Sequence, residues 1–164
     1  LSELITNLTR ISHIRLLRIH SRLLSVLPER ITGALIDAIS RFNGQVVFVT
    51  HINHPNEISA PNQEAFRVLS QRGFRLFNQS VLLKGVNDSP ETLAALSRKL
   101  FESHIIPYYL HRLDKVQGAA HFDLGRQESC RIYGQLRRQL PGYLLPAMVE
   151  EHPGQPPKTP VACH

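Results

Sequence analysis

The sequence contains only two cysteines, one methionine and no tryptophan, and it has no long apolar segment. Cys130 and Cys163 cannot form the C-x-x-C pair of a metal knuckle or a redox motif. The apolar run at residues 45–49 (QVVFV) is much shorter than the ~20 residues that span a bilayer. These absences argue against a cysteine-based metal domain and against a membrane span.

No charged segment followed by an apolar stretch opens the chain, so the sequence shows no signal peptide. Together with the scarcity of cysteine, this pattern favours a reducing, cytoplasmic environment. The first residue is leucine, which suggests a truncated or processed chain. With 164 residues, of which 42% are hydrophobic, the chain is long enough for one globular domain with a buried core.

Basic residues outnumber acidic residues by 19 to 13, which gives a formal charge of +6. Such a charge suits an anionic partner such as a nucleotide or RNA. The basic residues are scattered, however, and they do not alternate with aromatic residues as they do in proteins that bind single strands. The charge therefore indicates a basic, solvated surface, and we expect no direct binding of nucleic acid.

Apolar, β-branched runs alternate with helical patterns at intervals typical of βα units. The predicted strands cover residues 14–20, 45–51, 75–83 and 105–111, with a short one at 144–149. The predicted helices cover residues 29–42, 62–72, 90–102 and 126–140, and several of them begin beside a proline.

Repeated βα units predict a parallel sheet with helices on the outside. Four or five units form half of a TIM-type βα barrel or an open doubly wound sheet. We predict an α/β fold in which residues 1–150 form the barrel half and residues 151–164 form a Pro/Gly-rich tail, with 152–160 as a loop. A half barrel alone exposes two sheet edges, so we expect a fragment or a partner copy.

Polar residues follow the predicted strands, at the edge where parallel α/β proteins place their chemistry. Convergence at four successive strand ends predicts a pocket more strongly than any single residue does. The candidates are His20 and Ser21, then His51, Asn53 and His54, then Asn78 and Gln79, and finally His111 and Asp114.

Several candidate residues allow two interpretations. His51 and His54 are spaced as possible metal ligands, but the neighbouring Asn and Pro residues also suit a turn. Asp88 precedes a predicted helix, where a carboxylate favours the helix dipole. Lys158 lies near the end of the chain, where a lysine is usually an exposed charge. Flanking prolines stiffen its backbone, and lysine is the residue that forms Schiff bases.

Seven segments of the sequence resemble the lysine 2,3-aminomutase family, especially the bacterial branch that makes (R)-β-lysine for elongation factor P. The resemblance covers nearly the whole chain in the family's order. The segments are residues 17–21 (LRIHS), 27–32 (LPERIT), 51–58 (HINHPNEI), 78–88 (NQSVLLKGVND), 107–122 (PYYLHRLDKVQGAAHF), 142–146 (GYLLP) and 157–160 (PKTP).

The resemblance implies the C-terminal half of a radical S-adenosylmethionine barrel. Its cofactors would be S-adenosylmethionine, pyridoxal 5'-phosphate and a [4Fe–4S] cluster. The family binds the cluster through a C-x-x-x-C-x-x-C motif in its N-terminal half, and this sequence contains no such motif. We therefore expect no metal ligand in this chain, and we expect the isolated chain to be inactive.

The resemblance also assigns roles to individual residues. Lys158 matches the lysine that binds pyridoxal phosphate covalently. Asp114 matches an acid that binds the ε-ammonium group of the substrate lysine. Glu151, seven residues before Lys158, stands where the family has a second acid, and here Glu replaces Asp.

Further residues match contacts with S-adenosylmethionine. His51 and Gln79 correspond to such contacts, and Arg18 and Ser21 are expected to line the same site. His111 stands where some members have a tyrosine near the cofactor.

The predicted function is radical 1,2-amino migration that converts (S)-α-lysine to (R)-β-lysine. The expected partners are free L-lysine, a separate ligase that uses the product on elongation factor P, and a reductant such as flavodoxin or ferredoxin. Two alternatives remain open at this point. One is a metal-dependent barrel hydrolase with His20, His51, His54 and His111 as ligands, and the other is a non-catalytic binding relative.

Overall fold

The computed structural model of the chain describes residues 1–114, 116–151, 154 and 157–163. These residues form one curled six-stranded sheet whose strands lie side by side in sequence order. The first five strands are parallel to one another, and the sixth is antiparallel to the fifth. The strands are β1 (Leu16–His20), β2 (Gln45–Thr50), β3 (Arg75–Val81), β4 (Ile105–His111), β5 (Ala147–Glu150) and β6 (Thr159–Pro160).

Helices connect the parallel strands, as parallel pairing requires. The Thr32 hydroxyl accepts a hydrogen bond from the Leu35 amide at the start of one helix, and the Ser89 hydroxyl accepts one from Thr92 at the start of another. The α-helices are α1 (Ser2–Thr9), α2 (Leu23–Val26), α3 (Gly33–Ser40), α4 (Ala60–Gln71), α5 (Pro90–Glu102) and α6 (Gly125–Gln139). Short 3₁₀ turns lie at Pro28–Arg30, Pro55–Glu57, Ala120–Phe122 and Gly142–Leu144.

The helices cover one face of the sheet and form two apolar clusters with it. The larger cluster packs Phe66 and Leu69 of α4 beneath the first strands, and the other packs Leu110 of β4 against Ile132 and Leu136 of α6. All five side chains are almost fully buried. The α/β half-barrel predicted from the sequence is confirmed.

Most element boundaries agree with the sequence patterns, and β4 and α5 match them to the residue. The predicted helix at 29–42 is instead divided, because the Thr32 side chain caps a new helix after the turn at Pro28–Arg30. The sequence patterns did not predict the amphipathic α1 or the single-turn α2.

The C-terminal tail differs from its prediction as a loop. Thr159 and Pro160 pair with Glu150 and Val149, so this part of the tail adds a strand to the sheet. A disulfide bond between Cys130 on α6 and Cys163 joins the tail to the helix layer. The sequence did not predict this pairing, which is unusual for the reducing environment that the scarcity of cysteine favoured. The predicted loop residues 152, 153, 155 and 156 lie outside the described residues.

None of the helices in the described ranges combines the length and the apolar character that a membrane span needs.

Candidate functional site

A polar pocket of about 320 Å³ opens where β2, β3, β4 and β5 end. Five of the residues predicted from the sequence line it, and they come from four different strand ends. They are His51, Gln79, His111, Asp114 and Glu151, joined by Val81, Arg112, Leu113 and Val116. The convergence expected from the ends of parallel strands is therefore present at β2, β3 and β4, whereas His20 and Ser21, which follow β1, do not line this pocket.

A local irregularity of the sheet accompanies the placement of Gln79. The β3–β4 register passes from Asn78 opposite Pro107 to Gln79 opposite Tyr109, so one residue of β4 is skipped. Pro107 has no N–H group to offer the ladder, and bulges commonly redirect side chains beside active sites. The Gln79 side-chain nitrogen lies 3.4 Å from both ring nitrogens of His51.

Three residues that line this pocket each have one buried side-chain atom without a hydrogen-bond partner. The atoms are Oε1 of Gln79, Nε2 of His111 and Nε of Arg112, the three such side-chain atoms found in the described residues. Buried polar atoms are nearly always paired, so each unpaired atom needs a physical reason. The Gln79 and His111 atoms fit a site that completes its hydrogen bonds with a polar ligand, whereas the Arg112 guanidinium is held by Glu150.

Asparagine side chains hold the ends of β2 and β3 in place. Asn78, which is 1% exposed, accepts from the Thr50 hydroxyl and the Ile52 amide, and its amide group donates to the Ile52 carbonyl and the Ser80 hydroxyl. Asn87 likewise joins the loop at Asn53 to the end of β3. Asn78 and Asn53 were predicted to line the pocket. In the structure, both side chains instead form hydrogen bonds with backbone groups.

Lys158 lies beside Glu151, one of the two acidic residues that line the pocket. Its Nζ is 3.7 Å from a Glu151 carboxylate oxygen, and its side chain is 30% exposed. The backbone φ of Lys158 is 58°, a conformation that residues other than glycine rarely adopt. Because the following residues Thr159 and Pro160 join β5, the sheet holds Lys158 close to Glu151.

Arg18 and Ser21 lie outside this pocket. They line a separate, mainly apolar cavity of about 410 Å³ between β1, α1 and α3. The Ser21 hydroxyl accepts a hydrogen bond from the Leu23 amide and so shapes the turn into α2. Neither residue is among those that line the pocket of His51 and Gln79, and their contact with a cofactor stays a prediction.

Other candidates from the sequence have local structural roles. The His54 ring accepts a hydrogen bond from the Asn56 amide and caps the turn at Pro55–Glu57, as the turn interpretation predicted. Asp88 accepts a hydrogen bond from the Gly85 amide just before α5. Among the described residues, no three His, Cys, Asp or Glu side chains converge as metal ligands would.

Three histidines near the pocket share an electrostatic environment that disfavours protonation. Burial is the main cause that lowers the pKa of His111, and the nearby Glu151 carboxylate partly offsets it. Burial also lowers the pKa of His51, with Arg22 adding to the effect. The pKa of His20 is lowered by burial and then by Arg18, His51 and Lys158. All three shifts favour the neutral imidazole over the protonated one.

The lowered histidine pKa values predict a loss of stability in mild acid. Unfolded histidine titrates near pH 6.5, so below that pH the unfolded chain binds protons that the folded chain resists. The free energy of unfolding should fall between pH 7.5 and 5.5, with a slope of at most about 1.4 kcal/mol per pH unit for His111, the most buried of the three, and with smaller contributions from the more solvated His51 and His20. Denaturant titrations at several pH values would measure it.

The matched variants are His111→Gln at the pocket and His13→Gln at an exposed position. His111→Gln should flatten the acid-side decrease, and His13→Gln should leave it unchanged. A His111→Gln protein with the same pH dependence as the parent would contradict the assignment of a neutral His111.

The fold and the site together define an α/β protein of the βα-barrel class with a polar pocket at its strand ends. A solved structure with the same fold is a radical SAM methyltransferase from Sphaerobacter thermophilus, with a TM-score of 0.53 and 21% identity over 71% of this chain and 37% of that one. No protein-family model matches the chain.

Curated relatives identify the family. The chain is 48% identical over 161 residues to the L-lysine 2,3-aminomutase of Escherichia coli K12, covering 98% of this chain and 47% of that protein. It is 38% identical over 161 residues to the enzyme of the same name from Clostridium subterminale, covering 98% and 38%. Over the length compared, the chain belongs to the lysine 2,3-aminomutase family. It spans about half the length, or less, of these relatives.

Proposed function

We propose that the chain forms the substrate-binding part of an L-lysine 2,3-aminomutase that converts (S)-α-lysine to (R)-β-lysine. One observation carries the proposal: two carboxylates, Asp114 and Glu151, share a pocket with Lys158 beside it, in a chain 48% identical to an enzyme of that name. The product would serve the modification of elongation factor P by a separate ligase. The higher identity to the E. coli protein than to the clostridial one supports that use.

The residues present fit the cofactors that such a reaction needs. The unpaired Gln79 and His111 atoms suit the polar edges of S-adenosylmethionine, and Lys158 offers the amine that would hold pyridoxal phosphate. When bound with an iron–sulfur cluster and a reductant such as flavodoxin or ferredoxin, these cofactors supply the radical chemistry that no side chain can perform. We propose that the cluster ligands lie outside this chain and that the protein acts in the cytoplasm.

The residues of the chain itself would bind and orient the substrate. Asp114 and Glu151 offer two negative charges to a substrate ammonium group, and charge-assisted hydrogen bonds of this kind are stronger than neutral ones. Glu151 pairs with Lys158 here. If the Lys158 amine held pyridoxal phosphate instead of Glu151, the Glu151 carboxylate would be available to bind the substrate. Both acids are exposed in this structure, so excluding water requires a further part of the protein.

The test is lysine turnover by the full-length protein, meaning this chain together with the cluster-binding region that the resemblance predicts. Under anaerobic conditions with S-adenosylmethionine, pyridoxal phosphate and a reductant, we expect chiral chromatography to detect (R)-β-lysine. The same assay on this chain alone should yield no product. Binding of lysine without any conversion would favour the non-catalytic alternative, and migration to another carbon would refute the assigned reaction.

A further inference from the structure

A buried carboxylate next to the pocket binds two arginines. Glu150, the residue before Glu151, has a side chain only 8% exposed. One of its oxygens lies 2.7 Å from Nη1 of Arg112, and the other lies 2.5 Å from Nη1 of Arg126. Buried carboxylates are retained only when such partners compensate for lost hydration.

The two arginines differ in their relation to the pocket. Arg112 lines it together with Asp114 and Glu151, and its side chain is 17% exposed. Arg126 belongs to α6, is 49% exposed and lies outside this pocket. A permanently charged guanidinium that lines the same pocket as two carboxylates is a competitor for them, because arginine binds carboxylates through two parallel hydrogen bonds.

We propose that Glu150 is a positioning residue that keeps the Arg112 guanidinium from pairing with the substrate-binding acids Asp114 and Glu151. This inference rests on the proposed function. By pairing with Arg112, Glu150 leaves Asp114 and Glu151 available to the ammonium group of a cationic substrate. The position of Glu150 is fixed by the sheet, since its backbone is paired with Thr159 across β5 and β6. Neutralising Glu150 would release the Arg112 guanidinium toward the pocket acids.

The competing explanation is purely structural. Arg126 also donates to the Ala162 carbonyl at 3.4 Å, so the Glu150 cluster helps to attach the C-terminal segment to α6. If that attachment were the only role, Arg126→Gln should be as harmful as Glu150→Gln, and removing Arg112 should never restore activity.

The experiment measures kcat and KM for lysine in the full-length protein, with calorimetric binding of lysine in the absence of reductant as a second readout. Glu150→Gln should raise KM and the dissociation constant about tenfold, which corresponds to about 1.4 kcal/mol, and should leave kcat nearly unchanged. The double variant Glu150→Gln with Arg112→Gln should return KM close to the parent value. Arg126→Gln is the matched control and should leave KM unchanged.

Several outcomes would overturn the inference. They are an unchanged KM in Glu150→Gln, a double variant as impaired as the single one, or an Arg126→Gln protein with the same defect. If Glu150→Gln does not fold, Arg112→Gln alone decides, because the inference requires its KM to be equal to or lower than that of the parent. Failure of the unaltered protein to bind lysine would instead refute the proposed function, whereas normal lysine binding with an insensitive Glu150 refutes only this inference.

Discussion

Replacing Lys158 with arginine should abolish covalent attachment of pyridoxal phosphate to the full-length protein and reduce lysine turnover by at least about a thousandfold, as losses of covalent catalytic groups commonly do. Arginine keeps the positive charge beside Glu151 but cannot form an imine with an aldehyde. The change therefore separates the role of the amine as a nucleophile from its role as an ion-pair partner. Borohydride reduction followed by peptide mapping measures the attachment directly.

Lys84 supplies the matched control for this variant, because its side chain is exposed and lies outside the pocket. Lys84→Arg should retain the label on Lys158 and the parent turnover. Labelling of another lysine, with Lys158 unmodified in the parent protein, would show that the Lys158 assignment is wrong.

In the full-length protein, where a further part of the protein would enclose the exposed Asp114, replacing Asp114 with asparagine should weaken lysine binding by roughly 2–5 kcal/mol, the range seen when one partner of a buried charge pair is removed. The alternative role of Asp114, a surface ion pair with the neighbouring Arg112 or Lys115, would contribute at most about 1 kcal/mol. The Arg112 guanidinium binds Glu150 in the structure, which leaves that neighbour engaged elsewhere. Lys115, the other candidate partner, lies outside the described residues.

The measurements for Asp114→Asn are lysine kinetics together with cleavage of S-adenosylmethionine by reductant in the absence of lysine. Lysine turnover should fall sharply in this variant. Cleavage of S-adenosylmethionine should change little, since Asp114 is assigned to the substrate alone. Asp37→Asn on α3 is the matched control, because Asp37 is an exposed acid paired with Arg72. Unchanged lysine kinetics in Asp114→Asn would place the substrate pocket elsewhere.

The candidate site was predictable to the extent that it lies at strand ends. His51, Gln79, His111 and Asp114 each follow or end an apolar run, and parallel strands bring such positions to one edge of the sheet. Arg112 and Glu150, whose ion pair lies next to the pocket, were not predicted from the sequence. A charged residue at the end of an apolar strand was the only available signal, and it does not reveal a partner 38 residues away.

The sequence by itself determined the alternation of strands and helices, because hydrophobic periodicity and capping residues act over a few neighbouring positions. It also determined the family through motifs such as PYYLHRLDKVQGAAHF at residues 107–122.

Only the tertiary structure decided which polar residues face the pocket and which support the strands. In the folded chain, Asn78 is buried and supports the strand ends, and Arg18 and Ser21 line another cavity. The tail pairs with β5 and is linked to α6 by the disulfide bond. Each of these outcomes depends on contacts between distant segments. Such contacts are set by packing and by the pairing of buried polar groups, which no local pattern in the sequence encodes.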